Sequence, residues 1–266
     1  MNIPKLSATI ITKNEEGNII RCLEGLKWVD EIIIVDSYSS DNTIELCKKY
    51  TKKIYKHPFK NFSDQKNFAA SKANNDWILN IDADEVVPSK LKIEIIQKLS
   101  DSKYDGFHIF HRDFFYGKWM EHGGWSSGPG NIRLYKKSKG HWEGYVHEVV
   151  KLKGEEGYIN TPIIHFSHLE IAKTINGFNI YSDYQAMENK VNGRRINPIN
   201  FIIDPFIYFF YKYFVKAGYK DGTHGLIVSV LLAFNKFLVD IKTWELFYKQ
   251  DNYKKIKKEL ENYEIE

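Results

Sequence analysis

The feature that most constrains the fold is a regular alternation of strand and helix patterns over the first 85 residues. Short apolar runs rich in Ile and Val end in polar residues, as buried parallel strands do. Segments with apolar residues at helical spacing lie between them. The pattern predicts strands at 6–12, 31–36, 52–57 and 77–82, and helices at 15–27, 43–50 and 63–73. Repeated βαβ units predict an α/β fold with a Rossmann-like, mostly parallel central sheet flanked by helices.

Polar residues follow three of these strands at the end where such sheets bind ligands. They are Thr12 to Glu16, Asp36 with Ser37, and Asp82 to Glu85. The carboxyl ends of parallel strands meet at one edge of the sheet, and ligands bind beyond that edge. The sequence therefore predicts one binding site that all three segments share.

Asp82, Ala83 and Asp84 form the segment with the clearest chemistry. Alternation in an extended segment would place both carboxylates on one side, about 6–7 Å apart along the chain. Two carboxylates so placed can share a hard divalent cation that also takes phosphate oxygens. No glycine-rich phosphate loop follows any predicted strand, which favours a metal as the group that neutralises phosphate. The alternative is a solvated acidic turn.

The other strand ends carry groups suited to a nucleotide. We expect Thr12, Asn14, Glu15 and Asp36 to flank it, with the Asp36 carboxylate accepting from a base N–H or a ribose hydroxyl. Asp36 has the alternative of capping the loop that follows. Glu15 has the alternative of complementing a helix dipole. Lys66, at the start of the third helix, is a candidate to offset phosphate charge.

The pattern changes after a predicted helix at 89–99. Residues 104–165 carry short alternating runs separated by Gly-rich turns, which predicts mixed or antiparallel strands with long loops. From about 170 onward the pattern is helical again. We therefore predict a nucleotide-sugar half at 1–100, an acceptor and catalytic half at 101–170, and a helical C-terminal region at 171–266.

These motifs together resemble family 2 of the inverting, nucleotide-sugar-dependent glycosyltransferases. The matching segments are 11–16, 34–37, 65–67 and 77–85, and the later segments 133–135, 146–148 and 221–225 are similar to the bacterial lipopolysaccharide-core glucosyltransferase branch. The resemblance implies a GT-A fold, a UDP-sugar donor and Mg²⁺ or Mn²⁺. It also implies that Asp36 contacts uracil, that Asp82 and Asp84 serve ribose and metal, and that Glu148 is the base.

The reaction needs a general base on chemical grounds. A hydroxyl is a poor nucleophile near neutral pH, so a carboxylate must take its proton as the new bond forms. Glu148 lies in an alternating run after a Trp-containing loop, a position suited to the rim of a site. Many family members carry the base in a Glu-Asp pair, whereas here the acid follows His147. Glu121 and Asp113 are the alternatives.

Two further side chains are candidates for donor chemistry. His165 ends an apolar run, and an imidazole is a reasonable third metal ligand beside two carboxylates. Arg133 is expected to bind the diphosphate through its two N–H edges or to pair with a surface acid. A hydrogen-bonded structural role is the alternative for His165.

Aromatic residues make up 15% of the chain, and the sequence predicts two uses for them. Trp119, Trp125 and Trp142 are expected around the acceptor, because sugar C–H faces pack on aromatic rings, although one or two of them are equally at home in the core. The segment 201–215 carries eight aromatics and is followed by lysines. It predicts an in-plane membrane contact, with a second subunit or the catalytic domain as the alternative.

Charge and cysteine content exclude other classes. The net charge is +4, and only five of the 38 basic residues are Arg, which disfavours nucleic acid as a partner. Two cysteines cannot build a disulfide framework in 266 residues. No run of 18 uninterrupted apolar residues occurs, so no ordinary transmembrane helix is expected. We expect a cytoplasmic protein that is peripheral at the cytoplasmic face of the inner membrane.

The sequence thus predicts a metal-dependent transferase that moves a hexose, glucose in the simplest case, from UDP to a saccharide or glycolipid of the lipopolysaccharide or lipooligosaccharide inner core. The alternatives are another UDP-sugar in cell-surface glycan synthesis, and a catalytically idle nucleotide-sugar-binding scaffold. A nucleotidyltransferase is disfavoured because no Gly-rich, basic triphosphate loop follows the first strand.

Overall fold

The strands predicted in the N-terminal part of the chain lie close to their expected positions and form one sheet. The computed structural model describes residues 3–100, 103–124, 130–144, 148–168 and 170–261. The chain divides into two compact units, Met1–Leu169 and Glu170–Glu266. The further division of the first unit near residue 100 stays a prediction.

The first unit carries its strands and helices in this order: β1 (Leu6–Thr12), α1 (Ile19–Glu24), β2 (Glu31–Asp36), α2 (Thr43–Cys47), β3 (Ile54–Lys56), α3 (Phe62–Ser71), β4 (Trp77–Asp82), β5 (Glu85–Val86), α4 (Ser89–Ser100), β6 (Gly106–Phe115), β7 (Lys118–Trp119), β8 (Asn131–Lys136), β9 (Gly140–Glu143), β10 (Val149–Leu152) and β11 (Glu156–His168).

The main sheet has the strand order β3-β2-β1-β4-β8-β6-β11-β5, with β7 paired to β6. The first four strands in this order run parallel, as predicted. β8 is inserted antiparallel between β4 and β6, and β11 pairs parallel with β6. β9 and β10 form a separate antiparallel pair. The prediction of an α/β fold with a mostly parallel sheet at its centre is confirmed.

The alternation of side chains along each strand gives the sheet two buried faces. Ile34, Leu79 and Ile81 belong to one core cluster, together with apolar residues of α1 and α4. Ile33 and Ile78 belong to the other, together with residues of α3 and of the β9–β10 pair. Because both faces are covered, the exposed edge at the carboxyl ends of the strands is left for function.

The second unit is helical, as the sequence predicts. Its elements are α5 (Ile171–Val191), α6 (Asn200–Phe210), a π-helical segment (Tyr211–Val215), a 3₁₀ turn (Gly218–Asp221), α7 (Thr223–Asp251) and α8 (Tyr253–Glu261). Lys236 of α7 bonds Asp204 of α6 at 2.9 Å and Asp240 at 2.5 Å. This ion cluster fixes α6 against α7.

One surface of the second unit is exposed and apolar. We call it the α6 apolar face; its members are between 44% and 72% exposed and are Ile202, Phe206, Ile207, Phe210, Phe214 and Val215. Among the described residues, α7 is the helix whose length and hydropathy would allow it to cross a membrane, and 28% of its apolar window is buried. Length and composition alone are weak grounds for a membrane span.

Candidate active site

The carboxyl ends of β1, β2 and β4 lie side by side. Thr12 is in register with Asp36 on β2, and Ile11 is in register with Asp82 on β4. Ser37 donates its backbone N–H to the Thr12 carbonyl at 2.9 Å, which ties the loop after β2 to β1. The three polar segments singled out in the sequence therefore do meet at one edge of the sheet.

Asp36 and Asn14 shape the loop that follows β2. The Asp36 carboxylate is fully buried and accepts from the Ser39 backbone N–H at 2.9 Å and the Ser39 hydroxyl at 2.5 Å. Asn14 has a left-handed backbone at φ 57°, and its side-chain oxygen accepts from the Ser40 N–H at 2.8 Å. The capping alternative for Asp36 is thus present in the structure, and its contact with a base stays a prediction.

Glu15 lies at the turn that leads into α1. Its backbone N–H donates to the Thr43 hydroxyl at 2.8 Å, and its carboxylate accepts from the side-chain amide of Asn18 at 2.9 Å. The first contact holds the turn against α2, and the second stays within the turn that leads into α1. The nucleotide contact predicted for Glu15 also stays a prediction.

Two buried polar atoms beside this loop have no hydrogen-bond partner among the described residues: the Thr12 hydroxyl and the Gln65 side-chain oxygen. Gln65 donates its amide N–H groups to the Ser37 hydroxyl at 2.6 Å and the His57 carbonyl at 3.1 Å, which fixes its oxygen as the free end. An unsatisfied buried polar atom costs about 1–3 kcal/mol. A ligand that brings a donor to this point recovers that free energy.

The Asp82 carboxylate is held by two cations. The two terminal nitrogens of Arg133, Nη1 and Nη2, each lie 3.1 Å from Asp82 Oδ2, and Lys66 Nζ lies 3.3 Å from Oδ1. Burial alone raises the pKa of Asp82, but the charges of Lys66 and Arg133 outweigh it and the pKa falls below its ordinary value. Asp82 Oδ1 nevertheless has no partner in hydrogen-bond geometry among the described residues.

Arg133 sits on β8 and is 5% exposed. Leu134 pairs with Leu79, so Arg133 comes level with Asn80 and bonds its side-chain oxygen at 3.1 Å. A further guanidinium contact reaches Glu85 at 3.0 Å. Arg133 therefore pairs with acids of the protein, but its partners are the buried Glu85 and the partly buried Asp82 and not the surface acid predicted as the alternative, and a bond to diphosphate stays a prediction.

Glu85 is a member of the site whose role the sequence did not indicate. It is fully buried, accepts from the Asp82 backbone N–H at 2.8 Å, and lies 2.8 Å from His111 Nε2. Burial raises the pKa of Glu85, but Arg133 and His111 outweigh it and hold that pKa well below its usual range. A polar Asn80 inside an apolar strand was the signal for this network, because residues 80 and 82 point to the same face.

The extended backbone expected for the segment Asp82 to Asp84 is not what the structure shows. β4 ends at Asp82, and Ala83 and Asp84 form the turn into β5, so the pair does not lie on one extended segment. The two carboxylates face different cations. Asp84 lies 3.3 Å from His165 Nε2, while the opposite ring nitrogen of His165 lies 2.8 Å from Asp113.

His165 lies between two carboxylates. Burial alone lowers the pKa of His165, but Asp84 and Asp113 outweigh it and raise the pKa well above its ordinary value. A proton and a divalent cation compete for such a position. The oxygen and nitrogen donors of Asp82, Asp84 and His165 suit Mg²⁺ or Mn²⁺ in kind. Within the described residues, no three acidic, His or Cys side chains already meet at one point as a metal site.

Lys66 joins the acidic turn to the candidate base. It is 2% exposed, its Nζ lies 2.7 Å from Glu148 Oε1 and 3.3 Å from Asp82 Oδ1, and it stands 4.6 Å above the Trp142 ring. Because one nitrogen contacts both carboxylates, those oxygens are at most about 6 Å apart. Glu148 is thus placed beside the acidic turn, as a base for this site must be.

The two alternative bases are placed differently. Asp113 is buried and its carboxylate is engaged with His165. The Glu121 side chain is 62% exposed and lies 3.5 Å from Arg112. Glu148, with 14% of its side chain exposed, combines access with proximity to Asp82.

The three tryptophans predicted at the acceptor have different surroundings. Trp119 is half-buried and packs edge-on against Phe114, with ring centroids 4.9 Å apart. Trp142 is 2% exposed and donates to the Tyr135 hydroxyl at 3.0 Å, so its ring has no face for a sugar and the acceptor role predicted for it is wrong in this structure. Trp125 lies outside the described residues.

Comparison with known proteins gives a consistent result. The sequence profile described as "Glycosyl transferase family 2" matches residues 7–148. An uncharacterized glycosyltransferase of Rickettsia typhi is 31% identical over 264 residues, covering 93% of this chain and 89% of that protein. The lipopolysaccharide core biosynthesis glycosyltransferase LpsC of Rhizobium meliloti is 31% identical over 257 residues, covering 91% of this chain and 94% of that protein.

Solved structures are more distant. The structure of S. aureus TarS 1-349 in complex with UDP-GlcNAc superposes with a TM-score of 0.48 at 13% identity, covering 93% of this chain and 92% of that one. Glucosyl-3-phosphoglycerate synthase from Mycobacterium tuberculosis, with Mn²⁺ and UDP-glucose, gives a TM-score of 0.36 at 19% identity, covering 41% and 44%.

Proposed function

The chain belongs to glycosyl transferase family 2 and is a glycosyltransferase of GT-A fold, and on that premise we propose that it transfers a hexose from a UDP-sugar, UDP-glucose in the simplest case, with inversion, to a lipopolysaccharide or lipooligosaccharide inner-core acceptor. The observation that carries this proposal is the bridge through Lys66, which sets the candidate base Glu148 within about 6 Å of Asp82. The choice of acceptor is supported by the name of the Rhizobium meliloti relative.

The donor nucleotide binds at the ends of β1 and β2. The free acceptor oxygen of Gln65 suits an N–H group of a uracil ring, and the Thr12 hydroxyl can donate to a carbonyl of the same base or to ribose. Asp36, Asn14 and Glu15 hold the loops on either side of this point. The proposal therefore gives both orphaned atoms a partner.

Asp82, Asp84 and His165 are the residues that would hold a divalent cation. When bound, the cation stabilises negative charge on the departing diphosphate. Arg133 fixes the Asp82 carboxylate through two nitrogens at 3.1 Å, so the turn keeps its orientation before the donor arrives. Positioning of this kind avoids reorganisation during the reaction.

Glu148 is the general base. The acceptor hydroxyl attacks the anomeric carbon as its proton passes to the Glu148 carboxylate, and the bond to the nucleoside diphosphate breaks on the opposite face. Lys66, whose ammonium bonds Glu148 at 2.7 Å, orients that carboxylate. Trp119, half-buried at the β6–β7 hairpin, offers a ring edge or face to the acceptor sugar.

The second unit rests on the cytoplasmic face of the inner membrane. The α6 apolar face is exposed, and Lys212, Lys216 and Lys220 lie close to it in the sequence, a combination that suits an anionic headgroup region. Lys236 and Asp240 lie near the middle of α7, where a spanning helix tolerates charge poorly. The proposal is therefore a peripheral contact.

Two variants test the chemistry. Asp84→Asn is expected to abolish acceptor-dependent UDP release, because the cation loses a carboxylate ligand. Glu148→Gln is expected to leave the thermal shift with UDP-glucose and Mn²⁺ unchanged and to slow transfer by several orders of magnitude. Glu143→Gln, an exposed neighbour paired with His141, is the matched control and should transfer normally.

The outcomes separate the competing functions. Near-normal transfer by Glu148→Gln places the base elsewhere, and retained turnover by Asp84→Asn contradicts the metal assignment. Donor binding without any turnover of the native chain favours the idle scaffold. If another UDP-sugar gives a larger thermal shift than UDP-glucose, that sugar and not glucose is the transferred group.

Flotation with anionic liposomes tests the membrane contact. The native chain is expected to float with the vesicles, and replacement of Phe206 and Phe210 by Ser should leave it in the soluble fraction. A native chain that stays soluble as a dimer, with its α6 apolar face covered by the second copy, would contradict the membrane proposal.

A further inference from the structure

Two arginines frame an aromatic row beside the candidate metal turn. The Arg21 guanidinium of α1 lies 4.2 Å from the centroid of Phe166, and the Arg112 guanidinium of β6 lies 4.9 Å from that of Trp119. The Phe166 and Trp119 rings are 6.4 Å apart, and Phe114 packs on both, at 5.5 and 4.9 Å. We call the three rings the aromatic row. It is continuous from one guanidinium to the other.

The aromatic row borders the site directly. Phe166 donates its backbone N–H to the Asp84 carbonyl at 3.0 Å, and it follows His165 in β11. All the residues of the row and both arginines are partly exposed. A molecule that lies on the row is therefore next to the turn where the donor's diphosphate is proposed to bind.

Neither guanidinium is neutralised as Arg133 is. Arg21 bonds only a neutral amide among the described residues, the Asn18 side-chain oxygen at 3.1 Å. Arg112 lies 3.5 Å from Glu121, and both of these side chains are largely exposed, at 41% and 62%. An ion pair at this distance between exposed side chains contributes little to stability. Both forks therefore retain N–H groups for an external anion.

The choice of arginine at these two places is informative. Arg accounts for five of 38 basic residues, and two of those five stack on the aromatic row. A guanidinium stacked on a ring keeps its plane fixed and presents its edge to a carboxylate or phosphate, which a lysine cannot do. An aromatic face takes the C–H face of a sugar ring. Together they describe a receptor for a sugar that carries an acidic group.

We propose that the aromatic row packs against a sugar ring of the acceptor saccharide while Arg21 or Arg112, at the two ends of the row, binds an anionic group on that sugar. This rests on the proposed transferase function for the word acceptor, and it deepens that function by assigning the acceptor's charge. The chemistry is common to a sugar carboxylate and to a sugar phosphate monoester.

Binding of three methyl glycosides to the full chain tests the proposal: methyl glucoside, methyl glucuronide and methyl glucoside 6-phosphate, each titrated at low ionic strength by ligand-observed NMR. At least one acidic glycoside is expected to bind about tenfold more tightly than the neutral one, and the stronger of the two identifies the acid. Either Arg21→Gln or Arg112→Gln should remove most of that preference, and the variant that does so identifies the guanidinium that binds the acid.

Arg195→Gln is the matched control, because Arg195 also stacks on a phenylalanine, Phe247, at 4.7 Å, but in the second unit. It removes the same net charge, so any loss that it shares is non-specific. Equal binding of the neutral and acidic glycosides by the native chain, or a preference that survives both Arg21→Gln and Arg112→Gln, would overturn the proposal.

The thermal shift with UDP-glucose and Mn²⁺ keeps the two proposals separable. Arg21→Gln is expected to leave that shift unchanged, because Arg21 does not contact the candidate donor residues. If the native chain shows no donor-induced shift but binds an acidic glycoside through Arg21 or Arg112, the choice of donor fails and the anion site stands.

Discussion

Removal of the Arg133 guanidinium is expected to destabilise the first unit strongly. Arg133→Met keeps the stem of the side chain but removes the guanidinium, so Glu85 stays buried with one fewer cation and Asn80 and Asp82 lose its hydrogen bonds. Breaking a buried ion pair from one side costs about 3–5 kcal/mol. The Asp82 side chain is 30% exposed and recovers some hydration, and His111 remains 2.8 Å from Glu85. We therefore expect a loss of about 3 kcal/mol, the low end of that range.

Urea unfolding followed by tryptophan fluorescence measures this loss as a change in the free energy of unfolding. The double variant Glu85→Gln/Arg133→Met is expected to be less destabilised than the two single losses combined, because it leaves no unpaired buried charge. Arg195→Met breaks an exposed pair with Asp251 instead and should change the free energy of unfolding little. A loss for Arg133→Met as small as that of Arg195→Met, or strictly additive losses in the double variant, would refute the argument.

Three other predictions follow from packing and burial. Gly225→Ala should prevent normal packing of the second unit, since a Cβ there would lie 1.8 Å from the Gly218 carbonyl oxygen; a normal circular-dichroism melt would contradict this. Glu94→Gln should cost about 1 kcal/mol near pH 7, because the carboxylate accepts from two backbone N–H groups of β11. Burial raises the pKa of Glu94, but these hydrogen bonds outweigh it and lower the pKa. The stabilisation is therefore present above the unfolded-state pKa of Glu94 and disappears as the pH falls through its folded-state pKa. The urea unfolding curves of the native chain and of Glu94→Gln should converge in acid. The Cys22 and Cys47 thiols should resist labelling until the chain unfolds, because burial raises the pKa of Cys22 far above its usual value and that of Cys47 to about 12; prompt labelling of the native chain would count against this burial.

The N-terminal half of the first unit was predictable because its signals are local. The runs at 6–12, 31–36 and 77–82 coincide with β1, β2 and β4, since each strand is buried on both faces and reads as a continuous apolar segment. The helix predicted at 15–27 is shorter in the structure, Ile19–Glu24, because Asn14 adopts a left-handed backbone and residues 16–18 form a turn.

The later half depends on pairings between distant segments. Insertion of β8 beside β4 rather than beside a neighbour in sequence cannot be read from periodicity, and that insertion brings Arg133 to Asp82. The short strands β5 and β7 have two residues each and carry no periodic signal. Tertiary pairing, and not local pattern, therefore decided which candidate residues meet.

The sequence indicated which residues belong to the candidate site better than it indicated the contacts between them. Asp82, Glu148 and Lys66 were recognisable as chemical groups, but their ion bridge joins α3 to the segment before β10 across 82 positions. The core position of Trp142 likewise follows from the packing of β9 on α3, to which its flanking sequence gives no clue. Long-range contacts of this kind have no sequence period.

The insertion of β8 also limits how this enzyme can move. Because β4, β8, β6 and β11 are joined edge to edge in one sheet, the predicted donor and acceptor halves of the first unit share a single hydrogen-bonded slab. A hinge closure of one half over the other would have to break the hydrogen bonds between β4 and β8. Capture of the two substrates is therefore a task for loops at the rim, which include the segment before β10 that carries Glu148 and lies outside the main sheet.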